Sequence, residues 1–159
     1  MRQSLRGFTL VEILIVVILL AILAAIVLPQ YRDVTNQANR TNLKENLSKI
    51  RAIIQVYRNQ HSGYPAGDQF AAQMTQSTDF GGGVADVPDA THIYGPYLEQ
   101  MPTNPVTNSA VIRVATGAAE RFTAPDTDGG WWYNQVTGEF YPDLTDSHVD
   151  DDGMPYNQY

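Results

Sequence analysis

Residues Phe8 to Leu28 form an apolar run of 21 residues interrupted by a single charge, Glu12. As a helix the run is about 32 Å long, enough to cross the hydrocarbon core of a bilayer. A carboxylate at that depth is expensive unless it is paired, so Glu12 calls for a partner. The leader in front, MRQSLRG, carries Arg2 and Arg6. Basic residues there hold the N-terminus on the cytoplasmic side. A secretory signal peptide would also combine a basic start, an apolar run and small residues such as Ala21 to Ala25. Glu12 breaks the apolar region such a signal needs, and the run exceeds its usual length of about 7 to 15 residues. The sequence therefore predicts a retained membrane helix.

The remaining chain, about a hundred residues past the helix and its extension, suffices for one globular head with a modest core. With no cysteine among 159 residues, a disulfide framework, a thiolate zinc site and a cysteine nucleophile are all excluded. Charge is strongly segregated. From Pro29 to Arg58 six basic residues face two acids, a net of +4, and from Asn59 to Tyr159 two arginines face fourteen acids, a net of −12. An acidic head repels phosphate backbones, so nucleic acid is not an expected partner. Acidic heads opposite basic stems would draw neighbouring copies together, although solvated faces account for such charges equally well.

Pro29 closes the apolar run, yet a helical pattern resumes at once. Leu43, Leu47, Ile50, Ile54 and Tyr57 recur at steps of four and three, one apolar stripe on a helix whose other faces are polar. This predicts an extension over 29–62 with a kink at Pro29, ended by Ser62-Gly63-Tyr64-Pro65. Residues 63–109 read as an irregular connection with short helices near 68–76 and 96–100. Residues 110–143 read as an antiparallel sheet: Val111 to Val114, Arg121 to Thr123, and an aromatic hairpin from Gly130-Trp131-Trp132-Tyr133-Asn134 through Gln135 to Gly138 into Glu139-Phe140-Tyr141-Pro142. Residues 144–159 read as an acidic, poorly ordered tail. The expected fold class is α+β, a long helix packed on a small antiparallel sheet.

Arg6-Gly7, then Phe8-Thr9-Leu10-Val11-Glu12, the apolar run and Pro29 resemble the N-terminal signature of type IV pilins and the pseudopilins of type II secretion. The resemblance implies that a membrane-embedded prepilin peptidase cuts between Gly7 and Phe8 and methylates the new amine of Phe8, removing residues 1–7. It implies polymerisation through 8–28 with copies of the chain or related subunits, after residence in the inner membrane, where the assembly machinery meets it. The head then lies outside the cytoplasm. Glycine at position 7 lets the backbone approach an active site closely. Glu12 stands four residues, about 6 Å along a helix, beyond Phe8. The amine of a staggered neighbour would pair with that carboxylate and set the register of assembly. A glutamate snorkelling to the interface is the plainer alternative.

Gly63-Tyr64-Pro65, Gly95-Pro96-Tyr97-Leu98 with Pro102 and Asn104-Pro105, and Gly130 to Tyr133 with Thr137-Gly138-Glu139 resemble landmarks of pseudopilin heads. In the major pseudopilin of type II secretion a calcium loop near the C-terminus replaces the disulfide of many pilins. Here the acids fall in two clusters, Asp126-Thr127-Asp128-Gly129 and Asp150-Asp151-Asp152-Gly153. Calcium takes six to eight oxygens, so Asp126 and Asp128, and after them Asp150, Asp151 and Asp152, are the candidate ligands; solvated turns explain the same residues. His61, His92 and His148 lack ligand spacing, and no phosphate loop or paired-histidine motif is present, so the expectation is a structural protein and not an enzyme. Exposed Trp131, Trp132 and Tyr133 would instead suit a sugar- or surface-binding subunit at a fibre tip. A membrane-anchored enzyme would need a pocket with convergent polar groups.

Overall fold

A computed structural model describes residues 8–159, the side chains of 28–33 excepted. The chain divides after Ala38 into two compact units. One helix, α1 (Leu10–Gln60), supplies nearly all of the first and the opening of the second. Its assignment as helix continues past Pro29, as the resumed periodicity predicts. The expected kink falls on residues whose side chains lie outside the description.

Among the described residues of the first unit, the α1 side chains from Leu10 to Val27 are covered by nothing else in the chain. Leu10–Val27 has a mean hydropathy of 3.3, enough in length and composition to cross a membrane. Its large apolar side chains are all exposed, from Ile18 at 49% to Leu10 at 81%. A helix that is apolar on every side and packed on none belongs in lipid or among copies of itself.

In the second unit the stripe Leu43, Leu47, Ile50, Ile54 and Tyr57 is fully buried. Each Leu or Ile side chain removed from water contributes roughly 1.5–3 kcal/mol, so the stripe is what fastens the helix to the head. The helix stops at Gln60, and Gly63 does not take a positive φ there. The terminator is His61: both its backbone N–H and its ring Nδ1 reach the Tyr57 carbonyl at 2.9 Å, while Nε2 meets the Thr78 hydroxyl at 2.9 Å. The imidazole lies flat on the Tyr57 ring, with centroids 3.8 Å apart.

A 3-10 turn (Gly67–Gln69) leads into α2 (Phe70–Thr75), close to the expected helix at 68–76. No helix forms at 96–100, because the Tyr97 and Leu98 amides both bond to the Met74 carbonyl and tie that segment to α2. The connection also holds a small antiparallel pair, β1 (Ser77–Thr78) and β2 (Val84–Ala85), which the sequence did not signal.

The main sheet orders β3 (Ile112–Ala115), β4 (Trp131–Asn134) and β5 (Phe140–Pro142) as β3-β4-β5. The β4–β5 hairpin is antiparallel as expected, with Trp132 opposite Tyr141. β3 runs parallel to β4, so the sheet is mixed and not purely antiparallel. Arg121 to Thr123 are not a strand; they lie in the crossover that carries the chain from β3 back to the start of β4. Side chains on β4 alternate. Trp131 and Tyr133 join Phe70, Phe140 and the α1 stripe in the core, while Trp132 lies between Phe122 and Tyr141 on the other side.

The C-terminal stretch, expected to be loose, is packed. Leu144, Tyr156 and Asn157 are buried, and the Asn157 side-chain amide donates to the Leu144 carbonyl at 2.8 Å. Arg51, in mid-helix, donates to the Phe140 carbonyl at 2.9 Å and the Tyr159 carbonyl at 2.6 Å. Arg40 pairs with Asp151 at 2.8 Å, and Lys44 Nζ sits 4.1 Å from the centre of the Tyr159 ring. Three cations of α1 thus draw an acidic, tyrosine-bearing segment onto the helix.

Candidate functional site

The first turn of α1 is built as a capping box. Thr9 is the cap: its hydroxyl accepts the Glu12 backbone N–H at 3.2 Å. In return the Glu12 carboxylate accepts the Thr9 backbone N–H at 2.7 Å and the Thr9 hydroxyl at 2.9 Å. A helix N-terminus leaves its first amides without partners, and a carboxylate there is favoured by the helix dipole. Thr9-Leu10-Val11-Glu12 satisfies those demands within one chain. Serine or threonine followed three residues later by glutamate is the sequence signal for this arrangement.

Phe8, the residue expected to become the new N-terminus, is 84% exposed. Gly7 lies outside the described residues. Glu12 is the sole acid between Phe8 and Leu28, and among the described residues its hydrogen bonds run to Thr9. A carboxylate held by a hydroxyl and an amide remains able to exchange those donors for a cation, which binds it more strongly.

The acids of the head do structural work. Burial acts to raise the Asp128 carboxyl, but the Thr145 amide (2.8 Å) and the His148 imidazole (2.6 Å) outweigh it and hold it below the ordinary value. The Asp150 carboxyl is likewise lowered, first by the Met154 amide and then by the Tyr159 hydroxyl. Asp151 pairs with Arg40. Among the described residues no three His, Cys, Asp or Glu side chains gather as a metal would require. The structure therefore brings Asp150 and Asp151 onto the α1 flank, with the Asp152 amide donating to the Asp150 carboxylate at 3.0 Å, and Asp128 onto the 145–148 loop.

The aromatic cluster is buried and not displayed. Trp131, Trp132 and Tyr133 are at most 2% exposed. Trp131 Nε1 donates to the Pro102 carbonyl and the Tyr133 hydroxyl to the Pro65 carbonyl, each at 2.9 Å. The sugar-binding alternative loses its residues, because rings already covered on both sides present no stacking face. The scattered histidines are also engaged locally: His61 at the end of α1, His92 with Asp89, His148 with Asp128.

Comparison with known proteins bears on the same region. A family model described as the prokaryotic N-terminal methylation motif matches residues 2–28. The type IV narrow pilus major component PilA5 of Thermus thermophilus is 37% identical over 67 residues, 42% of this chain and 58% of that one. The type II secretion system core protein G of Pseudomonas aeruginosa is 40% identical over 68 residues, 43% of this chain and 48% of that one. The core protein G of Klebsiella michiganensis is 29% identical over 107 residues, 65% of this chain and 70% of that one. The chain thus spans about half the length of the first two relatives. No solved structure matches it. The chain matches the prokaryotic N-terminal methylation motif over residues 2–28 and is similar to a major component of a type IV pilus and to core protein G of type II secretion systems.

Proposed function

We propose that the chain is a structural subunit, cut after Gly7 by a prepilin peptidase, methylated at Phe8, and polymerised through Phe8–Leu28 into a type IV pilus or a type II secretion pseudopilus. The observation that carries this reading is the methylation motif set on a helix whose apolar faces are all unpartnered and which holds one carboxylate. Before assembly the helix resides in the inner membrane, N-terminus inward, with the head on the far side. In that state the Thr9 box satisfies Glu12 within the subunit. Cleavage places a cationic amine one residue before Thr9. In a low-dielectric bundle, the amine of a staggered neighbour is a better partner for Glu12 than a neutral hydroxyl. The box is then a holding state that assembly replaces, and the apolar faces left bare in the single subunit become buried against other copies.

Mass spectrometry of the mature N-terminus tests the reading. The expected species begins at Phe8 with one added methyl group. A chain that retains Met1 in cells equipped with the peptidase refutes it.

A further inference from the structure

The head carries two unlike surface features that the N-terminal motif does not use. The first is the turn after β1. The Asp79 amide donates to the Gly83 carbonyl at 2.9 Å, the Gly82 amide to the Asp79 carbonyl at 3.0 Å, and the Gly83 amide to the Asp79 carboxylate at 2.8 Å. Gly82 takes φ +86°, a conformation side chains resist. On this firmly held turn Phe80 is 63% exposed. Asp79, Asp86 and Asp89 surround it in sequence, and no lysine or arginine occurs from Ser77 to Tyr94. A large ring on a rigid acidic tip is poorly explained as a solvated loop, which would favour small polar residues.

The second feature is a cleft of about 430 Å³ on the flank of α1, lined by Lys44, Leu47, Ser48, Arg51 and Tyr159. Two of these are cations and none is an acid. Leu47 is apolar and buried, and Tyr159 supplies an aromatic surface under Lys44. Arg51 is fixed by its two carbonyl bonds, so the rim is preorganised. Such a cleft suits an aromatic ring brought in with carboxylates: cations favour the ring face, and acids neutralise the cations.

The geometry points to a head-to-tail contact between copies of this chain, in which Phe80 of one copy enters the Lys44–Arg51–Tyr159 cleft of the next and the acids beside it face Lys44 and Arg51. The inference rests on the polymer proposed above. A second copy fits because knob and cleft belong to one chain, and because the charge of the loop is opposite to that of the stem. Two different complementary patches make a heterologous contact, which repeats into an open helical array instead of closing as a dimer. The contact would lock heads together while Glu12 sets the register of the apolar helices.

The absence of cysteine makes the test clean. Gly81→Cys, beside an intact Phe80, and Ser48→Cys, both at exposed positions, are combined in the full-length chain and expressed with its assembly machinery. Oxidised fibres of the pair are expected to run as a ladder of dimers and higher multiples, whereas each single variant and a Gly81→Cys/Val136→Cys control pair give no ladder. Phe80→Ser is expected to lower fibre yield about tenfold, as for an aromatic hot spot, with unchanged thermal unfolding, and Phe80→Trp to retain it. Fibres that form normally while the Gly81–Ser48 pair stays monomeric overturn the contact and leave the polymer reading intact. Cross-linking of Gly81→Cys to an unrelated protein also overturns it. If the unaltered chain forms no fibre, the polymer reading falls and the contact with it.

Discussion

Glu12 has two roles, one within the subunit and one proposed between subunits, and one substitution separates them. Within the subunit it completes the capping box, a job glutamine performs as well, since its amide oxygen accepts the same amide and hydroxyl protons. Between subunits it is proposed to pair with an amine cation, which glutamine cannot do. The capping bonds here are 2.7 and 2.9 Å, so an isosteric amide retains them. Losing such a box altogether shifts a helix N-terminus by about five- to tenfold. An ion pair about 4 Å apart in a medium of intermediate dielectric amounts to about a thousandfold in the equilibrium of each junction. Glu12→Gln is therefore expected to insert, be cut after Gly7 and keep its helix, yet to yield almost no fibre when surface material is sheared, pelleted and quantified against total subunit. Glu12→Ala should also fail to assemble, with additional fraying of the first turn. Glu12→Gln fibres in normal amount would show that capping, not charge, is what assembly requires of this residue.

Other expectations follow from the head. Ile54→Ala, at a fully buried position of the stripe, should cost about 2–5 kcal/mol in thermal unfolding of the full chain in detergent; a change below about 0.5 kcal/mol would mean the stripe does not fasten the head. Burial, with smaller contributions from Tyr97 and Asp79, pushes the Tyr57 phenol up to about 12. Its neutral form is favoured by the fold, so stability that is full below about pH 10, where an unfolded tyrosine titrates, is lost as pH rises towards 12. Ultraviolet titration should show late phenols ionising together with unfolding, and Tyr57→Phe should flatten that window; all nine tyrosines ionising near pH 10 in a folded chain would contradict the burial. Because Asp128 and Asp150 are already held by protein donors, millimolar calcium or a chelator should leave the melting temperature unchanged, and a rise of several degrees with calcium would place Asp126 and Asp128 back among its ligands.

What could be read in the sequence was local and periodic. Leu43 to Tyr57 repeat at helical spacing, and all five are buried. The β4–β5 hairpin is equally plain, since its strands flank a five-residue connection containing Gly138, which takes φ +74° against the Tyr64 ring. What escaped depended on distant partners. The parallel alignment of β3 with β4 leaves no trace in either strand, because period two is the same in both directions. The C-terminal stretch has too few apolar residues to announce a packed segment. Its order comes from Arg40, Lys44 and Arg51, which stand roughly a hundred residues earlier in the chain. The capping box, by contrast, is legible in Thr9-Leu10-Val11-Glu12 itself, because its partners stand three residues apart.

The alternation along β4 also gives the molecule two built-in optical probes. Trp131 and Trp132 are the chain's only indoles, adjacent in sequence and assigned to opposite faces of the sheet. With Trp132 replaced by phenylalanine, the remaining emission senses the seam between sheet and helix. With Trp131 replaced, it senses the crossover segment at Phe122. The same pair of variants can thus follow separately, and without any attached dye, whether a subunit entering a fibre disturbs its interior or only its outer covering.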